Sequence, residues 1–210
     1  MESIARQGMP AAAMTDHGNM FGTVEFFTSA KKAGVKPIIG CEVYVADDRR
    51  AQTKGYAHLT LLAESNEGYA NLIRLSSLAY LEGYYYKPRV DWELLQGHAK
   101  GLIALSGCLS GRVSRALVEQ RPKDAREDLD RLVQIFGRES TYVELQNAGL
   151  AEQHQINPGL IALAEDTGLP LVATGDVHYL DAGDAYAHEA LLCIQSGDTL
   201  KNPDHWRFDT

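Results

Sequence analysis

Short runs of apolar residues recur along the chain without the strict alternation of apolar and polar positions that half-buried strands show. Runs of this kind are typical of strands buried on both faces, as in a parallel sheet covered by helices. A glycine and then a proline come before two of the runs, at Gly34 and Pro37 and at Gly168 and Pro170, which marks the ends of preceding helices. The predicted strands are residues 11–14, 38–39, 43–45, 59–63, 102–105, 141–145 and 171–174.

Apolar residues three or four positions apart lie between these runs and predict helices. Residues 66–81 carry Leu72, Leu75 and Leu78 at this spacing, and residues 122–136 begin with a proline, which suits the first position of a helix. The remaining predicted helices are a segment through 24–27, residues 156–167 and residues 185–194. Strands that alternate with helices of this length predict an α/β barrel or an open α/β sheet.

Two further segments change the predicted layout. Residues 47–55 are polar, and we expect a hairpin or a surface loop there, between the runs 43–45 and 59–63. Residues 3–8 resemble the last turn of a helix that is closed by Gly8 and followed by Pro10. A helix of this length is too short to be stable alone, so the chain is expected to start partway through a βα unit.

Composition narrows the class of protein. The 210 residues carry 20 Lys and Arg against 28 Asp and Glu, a net charge of −8, which argues against a general polyanion-binding surface but allows a local phosphate site. The 45% hydrophobic and 23% charged content excludes a disordered chain. Three cysteines and the lack of an apolar run of membrane-spanning length predict a cytoplasmic protein with no membrane partner.

Residues of the types that bind metals in proteins stand at the ends of five apolar runs. In barrels and open sheets of this class, reacting groups gather at the carboxyl ends of the strands. His58 stands instead at the start of its run, so the strand pattern does not place it. The residues at the five ends combine the ligand types of Zn²⁺, Mn²⁺ and Fe sites; they are Asp16, His17, Cys41, Glu42, Cys108, Glu144, Asp176 and His178.

Each of these residues also has a structural alternative. Asp16 could cap the following helix or hydrogen-bond a neighbouring histidine, and Cys108 could be a small core residue. Glu42 could form a salt bridge with a lysine. Asp176 and His178, two positions apart, enter one site together only in a loop or a twisted strand end. The residue types alone therefore leave the metal site and the structural alternatives open.

Several phrases of the sequence closely resemble one family, the PHP (polymerase and histidinol phosphatase) domain of bacterial DNA polymerase III alpha subunits. The resemblance covers nearly the whole chain, and residues 84–91 and 188–196 are similar to the polymerase version rather than to free phosphatases. Trp206, Arg207 and Phe208 match the stretch that continues toward the polymerase core. The other phrases are TDHGNMFG at 15–22, GCEVYV at 40–45, HLTLLA at 58–63, LSGCL at 105–109 and ATGDVHY at 173–179.

The resemblance implies a distorted seven-stranded (β/α) barrel with up to three divalent metal ions, Zn, Mn or Fe, at its mouth. The ligands that it implies are His17, Glu42, His58, Cys108, Asp176 and His178. Glu42 is a candidate bridge between two ions, and Asp16 and Glu144 are expected to support the ligands without binding a metal themselves. Glu42, Asp176 and His178 are the implied catalytic residues, for 3′–5′ exonuclease hydrolysis of phosphodiesters. Lys87 and Arg89 are candidates to hold DNA phosphates, although both could be solvated loop charges.

The sequence departs from the family pattern in one respect. The family begins with a strand that carries a His-x-His pair, and no such pair occurs in this sequence. We therefore expect residues 1–200 to be a PHP domain without its first βα unit, inactive in isolation, and 201–210 to begin the connection toward the polymerase core. The implied partners are a single-stranded DNA 3′ end and other polymerase III holoenzyme subunits. The alternatives are a non-catalytic scaffold of the polymerase and a free phosphatase, such as a histidinol phosphatase.

Overall fold

A mixed β-sheet with helices packed against it forms the fold in a computed structural model that describes residues 1–207. Of the predicted polymerase connection at 201–210, residues 208–210 lie outside the described residues, Phe208 among them. The strands are β1 (Ala11–Met14), β2 (Lys36–Val45), β3 (Ala57–Ala63), β4 (Tyr84–Tyr85), β5 (Lys87–Val90), β6 (Leu102–Leu105), β7 (Thr141–Gln146) and β8 (Leu171–Thr174). The helices are α1 (Glu2–Arg6), α2 (Thr23–Lys32), α3 (Asn66–Glu82), α4 (Trp92–Gly97), α5 (Arg112–Val118), α6 (Pro122–Phe136), α7 (Ala151–Thr167) and α8 (Ala185–Ser196).

The strand order explains why the candidate metal ligands lie at one edge of the sheet. The sheet runs β4-β5-β2-β3-β6-β7-β8, and β1 pairs with β2. β2 is parallel to β1 and β5, and the β6-β7 and β7-β8 pairs are also parallel. β3 is antiparallel to both of its neighbours, and β4 is antiparallel to β5. Six of the eight strands within residues 1–207 therefore point the same way. The α/β barrel-like architecture is confirmed, and the described residues form eight strands where the resemblance implies a seven-stranded barrel.

The two faces of the β2-β3 hairpin separate the core from the site, because successive side chains of a strand point to opposite faces. One face carries Cys41, Val43, Val45, Leu59 and Leu61, which belong to the same buried cluster as Leu72, Leu75 and Ala79 of α3. Glu42 and His58 occupy positions of the other parity. The prediction of a hairpin or a surface loop at residues 47–55 is confirmed, because these residues connect the antiparallel strands β2 and β3. The two strands are not apolar on both faces: one face is apolar, and the other carries Glu42 and His58.

Some elements differ from the sequence-based prediction. The bounds of β1, β6, β8 and α6 match it, whereas α7 begins at Ala151, five residues before the predicted start, and contains Pro158. α4 and α5 were not predicted, because helices of six and seven residues are too short to show a helical period. None of the described helices has the length and apolar content that crossing a membrane requires.

A close approach between α3 and the start of β6 gives a test of this packing. A Cβ atom added to Gly68 would lie 1.7 Å from the carbonyl oxygen of Gly101, which is backbone and cannot rotate away. We expect Gly68→Ala to lower the free energy of unfolding by about 1–3 kcal/mol, the usual cost of overpacking. Urea unfolding followed by circular dichroism measures the loss.

Gly97→Ala is the matched control for this substitution. Gly97 is also helical, and an added Cβ would meet nothing within 4 Å. Alanine there should leave stability unchanged or raise it by up to about 1 kcal/mol, since alanine favours helices. Equal effects of the two substitutions would contradict the packing of α3 against Gly101.

Candidate metal centre

His17 and Glu42 are held side by side by the backbone that continues β1 along β2. The two residues form a parallel β-bridge. The amide of Glu42 donates to the carbonyl of Asp16 at 3.1 Å, and the amide of Gly18 donates to the carbonyl of Glu42 at 2.8 Å. The sulfhydryl of Cys41 also donates to the Asp16 carbonyl, at 3.4 Å. Asp16 thus supports the site through its backbone, and α2 begins after Gly22 without a side-chain cap from Asp16.

Glu42 is the central residue of the cluster. Its Oε1 atom lies 2.7 Å from Nδ1 of His17 and 2.6 Å from Nδ1 of His58, and the residue is only 4% exposed. Burial alone would raise the pKa of this carboxyl group, but the hydrogen bonds with His17 and His58 outweigh it and lower the pKa to about 2. The hydrogen bond with Glu42 in turn raises the pKa of His17. The carboxylate is therefore ionised and shared by two imidazoles.

His58 reaches the cluster because β3 runs against the other strands. The amino end of an antiparallel strand lies at the same edge as the carboxyl ends of its neighbours. In the β2-β3 register, Thr60 stands opposite Glu42 and His58 stands opposite Tyr44, which makes His58 a diagonal neighbour of Glu42. The position of His58 at the start of its apolar run is thus compatible with the implied ligand set.

Cys108 contacts the same nitrogen of His58 as Glu42 does, and Glu144 supports the loop that carries Cys108. The Cys108 Sγ atom is 3.5 Å from His58 Nδ1, and burial raises the pKa of this thiol to about 12. Glu144 is buried and accepts hydrogen bonds from the amide of Gly107 at 3.1 Å and from the hydroxyl of Thr174 at 2.5 Å. Burial also raises the pKa of Glu144. Glu144 therefore fixes the loop that carries Cys108 and ties it to β8.

Asp176 and His178 approach from the loop after β8. The imidazole of His178 lies 5.6 Å from that of His17, measured between ring centroids, and its Nδ1 atom is 2.7 Å from the carbonyl oxygen of Asp176. Asp176 has a φ of 47°, which is uncommon for a residue other than glycine. Its charge also contributes to raising the pKa of His17. The loop therefore turns sharply at Asp176 and directs both residues toward the cluster.

The donor atoms suit a transition-metal ion. One ligand atom from each of His17, Glu42 and His58 lies within 4.8 Å of the others. Two imidazoles and one carboxylate form a donor set of the kind that binds Zn²⁺, with a further position left for water or substrate. The other three predicted ligands lie around this trio, and among the described residues no fourth donor atom lies within 4.8 Å of all three.

An open cavity lies in front of the cluster. It has a volume of about 920 Å³ and is lined by side chains from β1, β2, β3, β6, β7 and β8. Glu42, Glu144, Asp176 and His178 reach it together with apolar residues such as Ile103. A cavity of this size, with a few convergent polar groups, is typical of a binding site.

Comparison with known proteins places this arrangement in a family. Residues 1–148 match the model of a protein family that is described as the PHP domain. The chain belongs to the PHP domain family. It is 52% identical over 206 residues to the DNA polymerase III subunit alpha of Thermus aquaticus, an alignment that covers 95% of this chain and 17% of the relative. The corresponding protein of Deinococcus radiodurans is 51% identical, with 95% and 16% covered.

These relatives are much longer than the chain, which spans less than a fifth of their length. Among solved structures, the PHP chain is similar to a proposed metal-dependent phosphoesterase from Bifidobacterium adolescentis. That similarity covers 85% of this chain and 80% of the other, at 15% identity and a TM-score of 0.38.

The two basic residues predicted to contact DNA differ in their surroundings in this PHP domain. Lys87 is partly exposed, with its Nζ atom 5.5 Å from the centre of the Tyr44 ring, and its charge acts on His17. Arg89 is only 1% exposed. Its guanidinium donates to the carbonyl oxygens of Gly83, Thr53, Arg49 and Ala51 at 2.5–3.0 Å. We therefore correct the prediction for Arg89, which holds the 49–53 loop in place and does not face a DNA strand.

Sequence reasoning missed two aromatic residues beside the PHP cluster. The ring of Tyr44 lies 6.4 Å from His17 and 5.3 Å from His58, and Tyr56 stacks on His58 at 6.2 Å. Tyr44 follows Glu42 by two positions, so the period of a strand places both side chains on one face. That period was the signal that could have identified Tyr44.

Proposed function

We propose that this PHP domain is part of a bacterial DNA polymerase III alpha subunit and hydrolyses phosphodiester bonds at the 3′ end of single-stranded DNA. The polymerase would transfer nucleotides, and the PHP centre would remove them, in the cytoplasm and together with other holoenzyme subunits. The observation that carries the proposal is the shared contact of Glu42 with His17 and His58 at the mouth of the open cavity.

Some residues of the site would bind cations, and others would bind the substrate. Glu42, His17 and His58 are the proposed primary ligands, and Glu42 is the candidate bridge because one of its oxygens already contacts both imidazoles. Cys108 adds a sulfur ligand beside His58. Asp176 and His178 approach on the side of His17, where they would complete the ligand set. These assignments give each predicted ligand a place around one centre.

Divalent cations, when bound at such a site, neutralise the charge of the scissile phosphate and lower the pKa of an attacking water. Lys87 would contact a non-bridging phosphate oxygen, because its ammonium group lies over the Tyr44 ring, which is 6.4 Å from the ring of His17. Glu144 keeps the Cys108 loop fixed through the amide of Gly107. The walls of the cavity separate the reacting phosphate from bulk solvent on several sides.

A hydrolysis assay with Asp176→Ala tests this function. The chain is prepared both as these 210 residues and together with any adjoining coding sequence, then supplied with Mn²⁺ or Zn²⁺ and 3′-labelled single-stranded DNA. We expect release of the label by the longer wild-type preparation and a loss of at least about 100-fold in its Asp176→Ala variant, since even residues outside the ligand shell cost about 10–100-fold.

Asp166→Ala serves as the control, because Asp166 is an exposed carboxylate near the end of α7. This variant should retain the wild-type rate. Equal hydrolysis by wild type and Asp176→Ala would contradict the assigned site. Retention of metal without hydrolysis in any preparation would instead favour a non-catalytic scaffold.

A further inference from the structure

Three aromatic rings form an exposed row on the surface beside the metal centre. The ring of Phe21 lies 6.1 Å from that of Tyr80, and Tyr80 stacks on Tyr84 with centroids 6.1 Å apart and planes 16° apart. Their exposures are 82%, 40% and 61%, respectively. We call Phe21, Tyr80 and Tyr84 the aromatic row. Large apolar rings are usually buried in a soluble domain, so a contiguous exposed row indicates a binding surface.

The aromatic row is tied to the metal centre through the loop that follows His17. The side-chain amide of Asn19 donates to the carbonyl of His17 at 3.1 Å, and the backbone amide of Phe21 donates to Asn19 Oδ1 at 3.0 Å. The Asn19 side chain therefore connects the backbone of His17 with the backbone of Phe21, the residue that carries the first ring of the row. The surface and the centre are thus parts of one local structure.

Positive charge accompanies the aromatic surface despite the net charge of −8. Lys87 lies between the centre and the β4-β5 turn, with its ammonium group over Tyr44. Lys54 is exposed, and its Nζ atom lies 4.6 Å from the centre of the Tyr86 ring, at the tip of that turn. The nearby carboxylate of Glu82 is neutralised by Arg49 and Arg50. Lys87 therefore follows Tyr84 by three residues, Lys54 contacts the ring two residues after Tyr84, and the acidic Glu82 is already paired.

We propose that the aromatic row binds a single DNA strand by base stacking and leads its 3′ end past Lys87 into the metal centre. This inference rests on the proposed function and extends it to the substrate-binding surface. Rings that are 40–82% exposed and about 6 Å apart offer stacking surfaces for bases, and stacking does not depend on base identity. Stacking on such rings adds to the attraction between the strand and the nearby lysines, as in other surfaces that bind single strands.

Binding of two oligonucleotides separates stacking from charge. Fluorescence anisotropy of the full chain, in EDTA, compares a labelled oligothymidylate with an abasic oligonucleotide of equal length and charge. We expect Phe21→Ala and Tyr84→Ala each to weaken oligothymidylate binding by about 5- to 150-fold, the equivalent of about 1–3 kcal/mol, with a much smaller change for the abasic strand. Lys87→Ala should weaken both strands and lower the salt slope by about 0.7.

Two further variants keep the result interpretable. Tyr84→Phe preserves the ring and should bind oligothymidylate like the wild type, which assigns the effect to the ring and not to its hydroxyl, and circular dichroism of the alanine variants checks that they are folded. Tyr186→Ala removes an exposed ring (69% exposed) from α8, outside the row, and should have no effect. Unchanged oligothymidylate affinity in Phe21→Ala and Tyr84→Ala would overturn the inference, as would equal losses for the two strands. Either result would favour a protein partner for the row.

Hydrolysis of bis(p-nitrophenyl) phosphate by the metal-loaded wild type distinguishes the two proposals, because this small diester needs no stacking surface. Hydrolysis of the diester combined with unaltered strand binding in the alanine variants would overturn the aromatic row and leave the proposed function standing. Strand binding that depends on the row, without hydrolysis of diester or DNA, would support the row and contradict the catalytic function.

Discussion

Glu42→Gln is expected to lower the affinity of the chain for Mn²⁺ or Zn²⁺ by more than about 100-fold, the upper end of what outer residues around a metal contribute. Glutamine has almost the same shape, but it carries no charge and offers one oxygen where two imidazoles now converge on Oε1. The buried carboxylate, ionised with a pKa of about 2, supplies the negative charge that a cation requires. Equilibrium dialysis followed by elemental analysis measures the retained metal.

Glu139→Gln is the matched control, because Glu139 is a carboxylate in the short turn before β7 and lies outside the cluster. It should bind as much metal as the wild type. A Glu42→Gln variant that retains the metal stoichiometry of the wild type would show that the cations bind elsewhere.

Arg89→Met is expected to lower the free energy of unfolding by several kcal/mol. The substitution removes the donors of four backbone carbonyls, and each buried acceptor left without a partner costs about 1–3 kcal/mol. The affected loop is followed by Tyr56 and His58, which stack on each other. We therefore expect the substitution to make the metal site less ordered as well as the fold less stable. Thermal and urea unfolding by circular dichroism provide the measurement.

Arg50→Met is the control for Arg89. Arg50 is 56% exposed in its side chain and pairs with Glu82 and Glu93 at the surface, and such pairs contribute about 0–1 kcal/mol. If Arg89→Met instead left stability intact and weakened DNA binding, the original sequence-based assignment of Arg89 to DNA phosphates would be correct and its structural role would not.

The sequence pattern predicted most of the sheet because its strands are short apolar runs with clear boundaries. β1, β6 and β8 have the predicted bounds, and the ends of β1 and β8 carry His17, Asp176 and His178 as expected. Strand direction was harder to predict. A run such as 57–63 has the same composition in either direction, so His58 gave no local sign that β3 is antiparallel.

Burial of charged residues was the second feature that the sequence did not reveal. Lys87 and Arg89 stand two positions apart in the same phrase, yet one lies near His17 and the other is enclosed by backbone carbonyls. Which of them is enclosed depends on the loop at 49–53, which is distant in sequence. The aromatic row was missed for the same reason, since its three rings come from three separate elements.

Anomalous X-ray scattering from crystals of the chain grown with Mn²⁺ or Zn²⁺ tests the metal centre most directly. We expect anomalous density within about 2.0–2.2 Å of a His17 nitrogen, a His58 nitrogen or a Glu42 oxygen, the usual distance for such ligands. Density confined to other parts of the molecule, with Glu42 still hydrogen-bonded to both histidines, would contradict it.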